Sequence, residues 1–200
     1  MLQNFGHTRR GLLRGCAAAA GMLAAPTLAS AMAGPAILAA AKAGLDHVGA
    51  RGAARDVVGV ADFGRPSSVP RLHLVDLAEG QIESVLVAHG RGSDPSHTGW
   101  LSRFSNDPGS AATSQGHYLT AGYYDGEHGR SMRLIGLDPT NSNAESRAIV
   151  VHPAWYVSQE MVAQHGMLGR SEGCFAVSDA DLNRVLARLG PGRVLVAAKL

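Results

Sequence analysis

Two cysteines occur in the 200 residues, Cys16 and Cys174, and they lie in segments of very different character. Cys16 sits in an N-terminal stretch in which Arg9-Arg10-Gly11-Leu12-Leu13 precedes an Ala- and Gly-rich apolar run to about Leu28. No acidic residue occurs before Asp46, and Ala31-Met32-Ala33 offers small residues for cleavage. This is the pattern of a twin-arginine leader over residues 1–33, with the mature chain starting near Gly34. Cys174 is then the one thiol left in an exported domain, so no internal disulfide can staple it. The fold must be held by an apolar core, and about 167 residues suffice for one domain with a substantial core.

The charge balance changes with the leader. The whole chain carries a formal +2, but the leader takes three arginines and no acid with it. The remainder has 15 basic against 16 acidic residues, which removes any compositional case for nucleic acid as a partner. The alanine-rich run ends in a cleavage pattern, so stable membrane insertion is not expected. The location implied is the periplasm or cell envelope, and a monomer is expected.

Residues 34–56 form an N-terminal helical segment, with Ile37, Leu38, Ala41, Leu45 and Val48 at helical spacing. Residues 57–200 form the main domain. Val57–Phe63 reads as a strand, and Arg71–Asp76 and Gln81–Ala88 as a hairpin. Residues 89–117 are rich in Gly, Ser, Asp and Asn, and a loop of that length in a compact domain is usually functional or mobile. His117–Tyr124 and Arg130–Leu137 predict strands around a turn at Asp125-Gly126, and Ala148–Val151 a strand that ends on His152. Ser178 is placed as the N-cap of a helix carrying Leu182, Val185, Leu186 and Leu189. Arg193–Lys199 predicts a last strand. The fold class is therefore mainly β, with a helix near each end of the mature domain.

An odd cysteine in an exported chain suggests an intermolecular pair or a reactive thiol. Free cysteines are commonly buried small hydrophobes, and composition alone favours that reading. The reactive reading needs a base, and His152 after an apolar strand is placed to be one. Gly173 removes a side chain beside the thiol and exposes amide N–H groups of the kind that stabilise an oxyanion. His89, His152 and Cys174 lack the close spacing of a zinc site, and no Cys-x-x-Cys pair supports disulfide exchange. Trp100, Phe104 and Trp155 either wall a groove or pack in the core, the latter being the simpler reading.

His152, eighteen intervening residues and then Ser171-Glu172-Gly173-Cys174 make an ordered set. With Val60–Ser67, Val87–Ser93, Phe104-Ser105-Asn106, Glu127–Leu134 and Gly169–Val177, it resembles the L,D-transpeptidase (YkuD-type) catalytic domain family. The resemblance is to its murein L,D-transpeptidase branch and spans about residues 57–180. It implies a β-sandwich or open barrel acting on peptidoglycan stem peptides. It also implies Cys174 as nucleophile, His152 as base, backbone amides of Gly173 and Cys174 as oxyanion donors, and 3→3 cross-links as product. Susceptibility to carbapenems comes with it, and no metal or cofactor is implied. A hydrolase working through the same acyl-enzyme, or a wall-binding module without catalysis, are the alternatives. Ser171, Arg170, His89 and His128 are candidate substrate contacts. Two positions depart from many family members: Glu172 stands where His is common, and Ala176 where Arg or Asn is common. The group that orients His152 is left open between a backbone carbonyl and a side chain of the 89–117 loop.

Overall fold

The computed structural model describes Met1 and residues 28–49 and 53–200. The twin-arginine pair and Cys16 lie outside the described residues. Eight strands form one mixed sheet, in the order β3-β2-β1-β8-β4-β5-β6-β7, with three helices around it. The strands are β1 (Val57–Asp62), β2 (Leu72–Asp76), β3 (Gln81–Val85), β4 (Gly116–Gly126), β5 (Gly129–Gly136), β6 (Val150–Pro153), β7 (Phe175–Val177) and β8 (Val194–Ala198). The helices are α1 (Leu28–Val48), α2 (Gln159–His165) and α3 (Asp179–Arg188). Pairing is antiparallel except between β1 and β8 and between β6 and β7.

Past the end of β3 the chain runs on to the opposite edge of the sheet. The Ala88 N–H donates to the Ala176 carbonyl of β7 at 2.9 Å, and the Ser171 N–H to the His89 carbonyl at 2.9 Å. The two edges of the sheet are thereby joined, which gives the open-barrel form and leaves fewer unpaired edge groups.

Strand alternation sorts the core. Val57 and Ala61 of β1 face the main cluster with Phe63, Tyr118, Phe175 and Leu195, which α3 covers through Leu182, Val185, Leu186 and Leu189. Val58 and Val60 face the other way, onto Ile37, Ala41, Leu45 and Val48 of α1. With both faces covered, all six residues of β1 are buried, as in a strand from the interior of a layered domain. Gly44 makes the close approach of α1 possible: a Cβ there would lie 2.6 Å from Val196 Cγ2 on β8.

The elements differ from the sequence reading at four places. Helix α1 ends at Val48 and begins at Leu28, inside the stretch read as leader. The hairpin turn falls at Glu127-His128, because Gly126 pairs with Gly129. Helix α2 has no counterpart in the reading: it buries no residue fully and so shows little apolar periodicity. Its ends are nonetheless marked, by the Ser158 side chain accepting from the Met161 N–H and by Gly166 at φ 73°. Strand β7, only three residues long, is too short for a periodic signal.

Leu195 is fully buried on β8 at the centre of the sheet. Leu195→Ala is expected to lower unfolding stability by about 2–5 kcal/mol with the urea m-value unchanged. A loss below about 1 kcal/mol in urea melts would show that this cluster does not carry the fold.

Candidate active site

The site is built where β6 and β7 run side by side. Val151 pairs with Phe175 and His152 with Ala176, in parallel register. Val151 and Phe175 belong to the main core. Alternation therefore turns His152 to the face opposite that core, where it is still buried, and Cys174 lies one residue before Phe175 in the turn that leads into β7. The sequence signal of an apolar strand bearing His152 thus has a specific consequence: the imidazole rides on a strand adjacent to the one that Cys174 immediately precedes.

His152 is buried, and its Nδ1 lies 2.8 Å from the Pro153 carbonyl. That carbonyl can only accept, so Nδ1 carries the proton and Nε2 keeps its lone pair. The orienting group is thus a backbone carbonyl, the next in the chain. The ring stacks on exposed His128 at a centroid distance of 4.5 Å, brought over it by the tip of the β4–β5 hairpin. Burial holds the His152 pKa below the ordinary imidazole value, with the Pro153 bond opposing and the neighbouring His128 assisting.

The Cys174 thiol is free, and it donates to the Ala148 carbonyl at 3.5 Å. Burial pushes its pKa above the ordinary thiol value. A hydrogen bond from the Val150 backbone and the Arg147 guanidinium pull it down, and Glu172 adds to the rise. The resting pair is a neutral thiol and a neutral imidazole.

The turn before Cys174 is fixed by Ser171. Its hydroxyl donates to the Cys174 carbonyl at 2.7 Å and accepts the Gly173 N–H at 3.2 Å. Gly173 has φ 121°, a conformation that side-chain-bearing residues rarely adopt, and a Cβ there would lie 2.8 Å from the Ala112 carbonyl oxygen. Arg147 holds the surrounding loop by donating to the carbonyls of Ser105 and Ala112 and to Ser114 Oγ. Ala148 beside it takes φ 51°, a left-handed non-glycine conformation that costs about 1–2 kcal/mol, and so aims its carbonyl at the sulfur.

Arg147 and Tyr156 are parts of the site that the sequence reading did not single out. Burial raises the Tyr156 pKa to about 12, and Cys174 and Glu172 add to the rise, so its hydroxyl lies within their electrostatic reach. The available signals were modest: Arg147 ends a polar run directly before the His152 strand, and Tyr156 follows it.

The remaining candidates are dispersed. His89 is 1% exposed and does not line the cleft. Its Nδ1 meets Arg71 Nη2 at 2.7 Å, and its Nε2 lies 3.5 Å from Asp94 Oδ2. Arg71, fully buried, also donates to the Val87 and Arg65 carbonyls. Burial lowers the His89 pKa to about 3, with Arg71 reinforcing, so the ring is neutral. Arg170 spends its guanidinium on the carbonyls of Asp94 and Pro95, which holds the 91–99 loop to the turn. The long 89–117 loop is a packed wall of the site: Asp94 caps it through the Thr98 and Gly99 N–H groups. Glu172 is exposed and pairs with Arg91 at 2.6 Å. Of the three aromatic residues read as core, only Phe104 packs inward, edge-on to Phe63 at 6.0 Å. Trp100 and Trp155 are 51% and 76% exposed.

Residues 30–197 match the family model described as the L,D-transpeptidase catalytic domain. A search among curated proteins finds no significant match. Among solved structures, an L,D-transpeptidase from Mycobacterium smegmatis is 13% identical, with 71% of this chain and 58% of that one covered and a TM-score of 0.42. L,D-transpeptidase 3 from Mycobacterium tuberculosis is 14% identical, with 71% and 60% covered and a TM-score of 0.45. The same protein solved with a faropenem-derived adduct gives 14%, 72%, 60% and 0.44. The chain thus spans about three fifths of the length of these structures. The family match covers most of the 200 residues, and the chain belongs to the L,D-transpeptidase catalytic domain family.

Proposed function

We propose that the protein is a cysteine L,D-transpeptidase of the cell envelope that joins peptidoglycan stem peptides by 3→3 cross-links. The observation that carries the reading is the parallel β6–β7 register, which sets His152 on the strand beside the one that follows Cys174, together with the His152 proton held on Nδ1.

In the first half-reaction His152 Nε2 takes the thiol proton as Cys174 Sγ bonds to the carbonyl carbon of the third stem residue. The resulting oxyanion is met by the backbone amides of Gly173 and Cys174. The Gly173 N–H is held by Ser171 Oγ at 3.2 Å, at the long end of the ordinary range, and a charged oxygen is the stronger acceptor. The bond to the fourth-position D-alanine breaks, the imidazolium returns its proton to the leaving amine, and a thioester remains. A side-chain amine of a second stem then attacks the thioester, gives up its proton through His152, and releases Cys174. Ser171 positions the donor amide, and Arg147 braces the turn from the other side.

Because both partners rest neutral, the pH dependence has a definite sign. Acylation needs His152 unprotonated, and burial lowers its pKa, so the acid limb of kcat/KM falls below the ordinary imidazole value of about 6.5. Alkylation of the free enzyme by iodoacetamide needs thiolate, and it should climb with a midpoint above the ordinary thiol value of about 8.5. An alkylation midpoint near neutrality would instead reveal a preformed thiolate–imidazolium pair.

Incubation of the protein with disaccharide tetrapeptides, read by mass spectrometry, is expected to give cross-linked dimers. Tripeptides alone would make it a hydrolase, and neither product nor a carbapenem adduct on Cys174 would end the enzyme reading. Cys174→Ala should abolish both products. Ser171→Ala should leave the fold intact in circular dichroism but lower kcat by about 10–1000-fold, as expected when an oxyanion donor loses its alignment. An unchanged kcat would show that the hydroxyl serves only the turn.

A further inference from the structure

Away from the β6–β7 edge, three polar side chains from distant parts of the sequence converge. His47 is in the last turn of α1, His117 opens β4, and Asp138 follows β5. His47 Nε2 lies 2.6 Å from Asp138 Oδ1, and His117 Nδ1 lies 2.8 Å from Asp138 Oδ2. The two rings stack at 4.1 Å and 19°, and each directs one nitrogen to the same carboxylate. The ligand atoms all fall within 4.8 Å of one another.

We propose that His47, His117 and Asp138 form a binding site for a borderline divalent metal ion of the zinc class. Two imidazoles and one carboxylate are a donor set suited to such ions, and three protein ligands leave further positions for water. Exposure fits this: the Asp138 side chain is 13% exposed and that of His117 22%, while His47 at 46% leaves the outer side open to solvent.

The positioning is what distinguishes the cluster from a chance contact. Asn141, fully buried, accepts the Asp138 N–H through Oδ1 at 2.8 Å and donates through Nδ2 to the His117 carbonyl at 2.8 Å. One side chain thus fixes the backbone of two ligands. The His117 N–H donates to Asp138 Oδ2 at 2.7 Å, which orients the carboxylate. Gly116 makes the room: a Cβ there would lie 2.6 Å from Asp138 Oδ2 and 3.0 Å from Asn141 Nδ2. Outer contacts of this kind are what hold metal ligands in place before the ion arrives.

Without an ion, each imidazole donates one N–H to the carboxylate. On binding, each neutral ring turns its lone pair to the metal and carries its proton on the other nitrogen, His47 Nδ1 and His117 Nε2. A bound ion would pin the end of α1 to the start of β4, and with it the helix that covers the outer face of β1 and β8.

The test uses the tag-free full chain carrying Cys174→Ala, so that the thiol cannot compete for the metal. Equilibrium dialysis against Zn²⁺ with metal quantification is expected to give one zinc per chain, and Co²⁺ is expected to give a visible absorption band of a four- or five-coordinate site. Asn141→Ala should weaken Zn²⁺ binding by about 10–100-fold, and His47→Gln or Asp138→Asn by more. Substoichiometric zinc, or an affinity unchanged in both His47→Gln and Asp138→Asn, would reduce the cluster to a hydrogen-bonded clasp and overturn the proposal. His47→Gln alters an exposed helix end, so its circular dichroism spectrum separates lost binding from lost folding.

Discussion

The Arg71 guanidinium, buried completely within the barrel, is the contact on which the site's architecture depends. A buried charge is costly unless its donors are satisfied, and burial lowers the Arg71 pKa to about 9 against the opposing pull of Asp62 and Asp94. The donors are used on the Val87 and Arg65 carbonyls and on His89 Nδ1, and its charge is offset by Asp62 and Asp94. Those bonds set the path of residues 87–91. From that path the His89 carbonyl accepts the Ser171 N–H, and Gly90 packs so closely on Gly173 that a Cβ would lie 2.7 Å from its Cα. The turn that presents Cys174 therefore rests on the segment that joins the sheet edges, and that segment rests on one arginine.

The chemistry that follows is one of restraint. Burial disfavours charge on both the thiol and the imidazole, so both rest neutral. Under the mechanism proposed above, a nucleophile revealed only as a proton moves to His152 would be protected from stray electrophiles and oxidants, which attack the thiolate. Arg147 and the Val150 N–H temper the cost by favouring the charged sulfur when it forms. Exposed His128, stacked on His152, brings the tip of the β4–β5 hairpin into this arrangement from beside β6.

The parts legible in the sequence were those written in periodic or punctuated form. The strand before His152, the Ser178-capped helix, the β2–β3 hairpin and the helical spacing of Ile37, Ala41, Leu45 and Val48 all follow from apolar spacing and caps. Strand β7 and helix α2 carry too little buried surface to leave a pattern. At the site, Gly173 was legible as a turn residue, and its φ of 121° bears that out, whereas composition alone left Cys174 a small buried hydrophobe. His89 was misjudged because a histidine in a Gly-rich loop reads as exposed, whereas Arg71, eighteen residues earlier, draws it into the core. Arg147 was passed over because its work is done through backbone carbonyls, which no residue pattern encodes. The His47–His117–Asp138 meeting joins residues 91 and 21 positions apart, a distance at which only the folded sheet brings them together.

The placement of β8 bears on how such a chain comes to be folded at all. It is the last of the described strands in sequence order, yet it lies between β1 and β4 in the middle of the sheet, and Val58, paired with Val75 on one side, finds its other partner at Val194. Until β8 has been made, β1–β3 and β4–β7 are two part-sheets with no shared strand. Each then presents an open edge of unpaired backbone groups. Closing the barrel waits for β8, through a pairing that spans most of the domain and is slow for that reason.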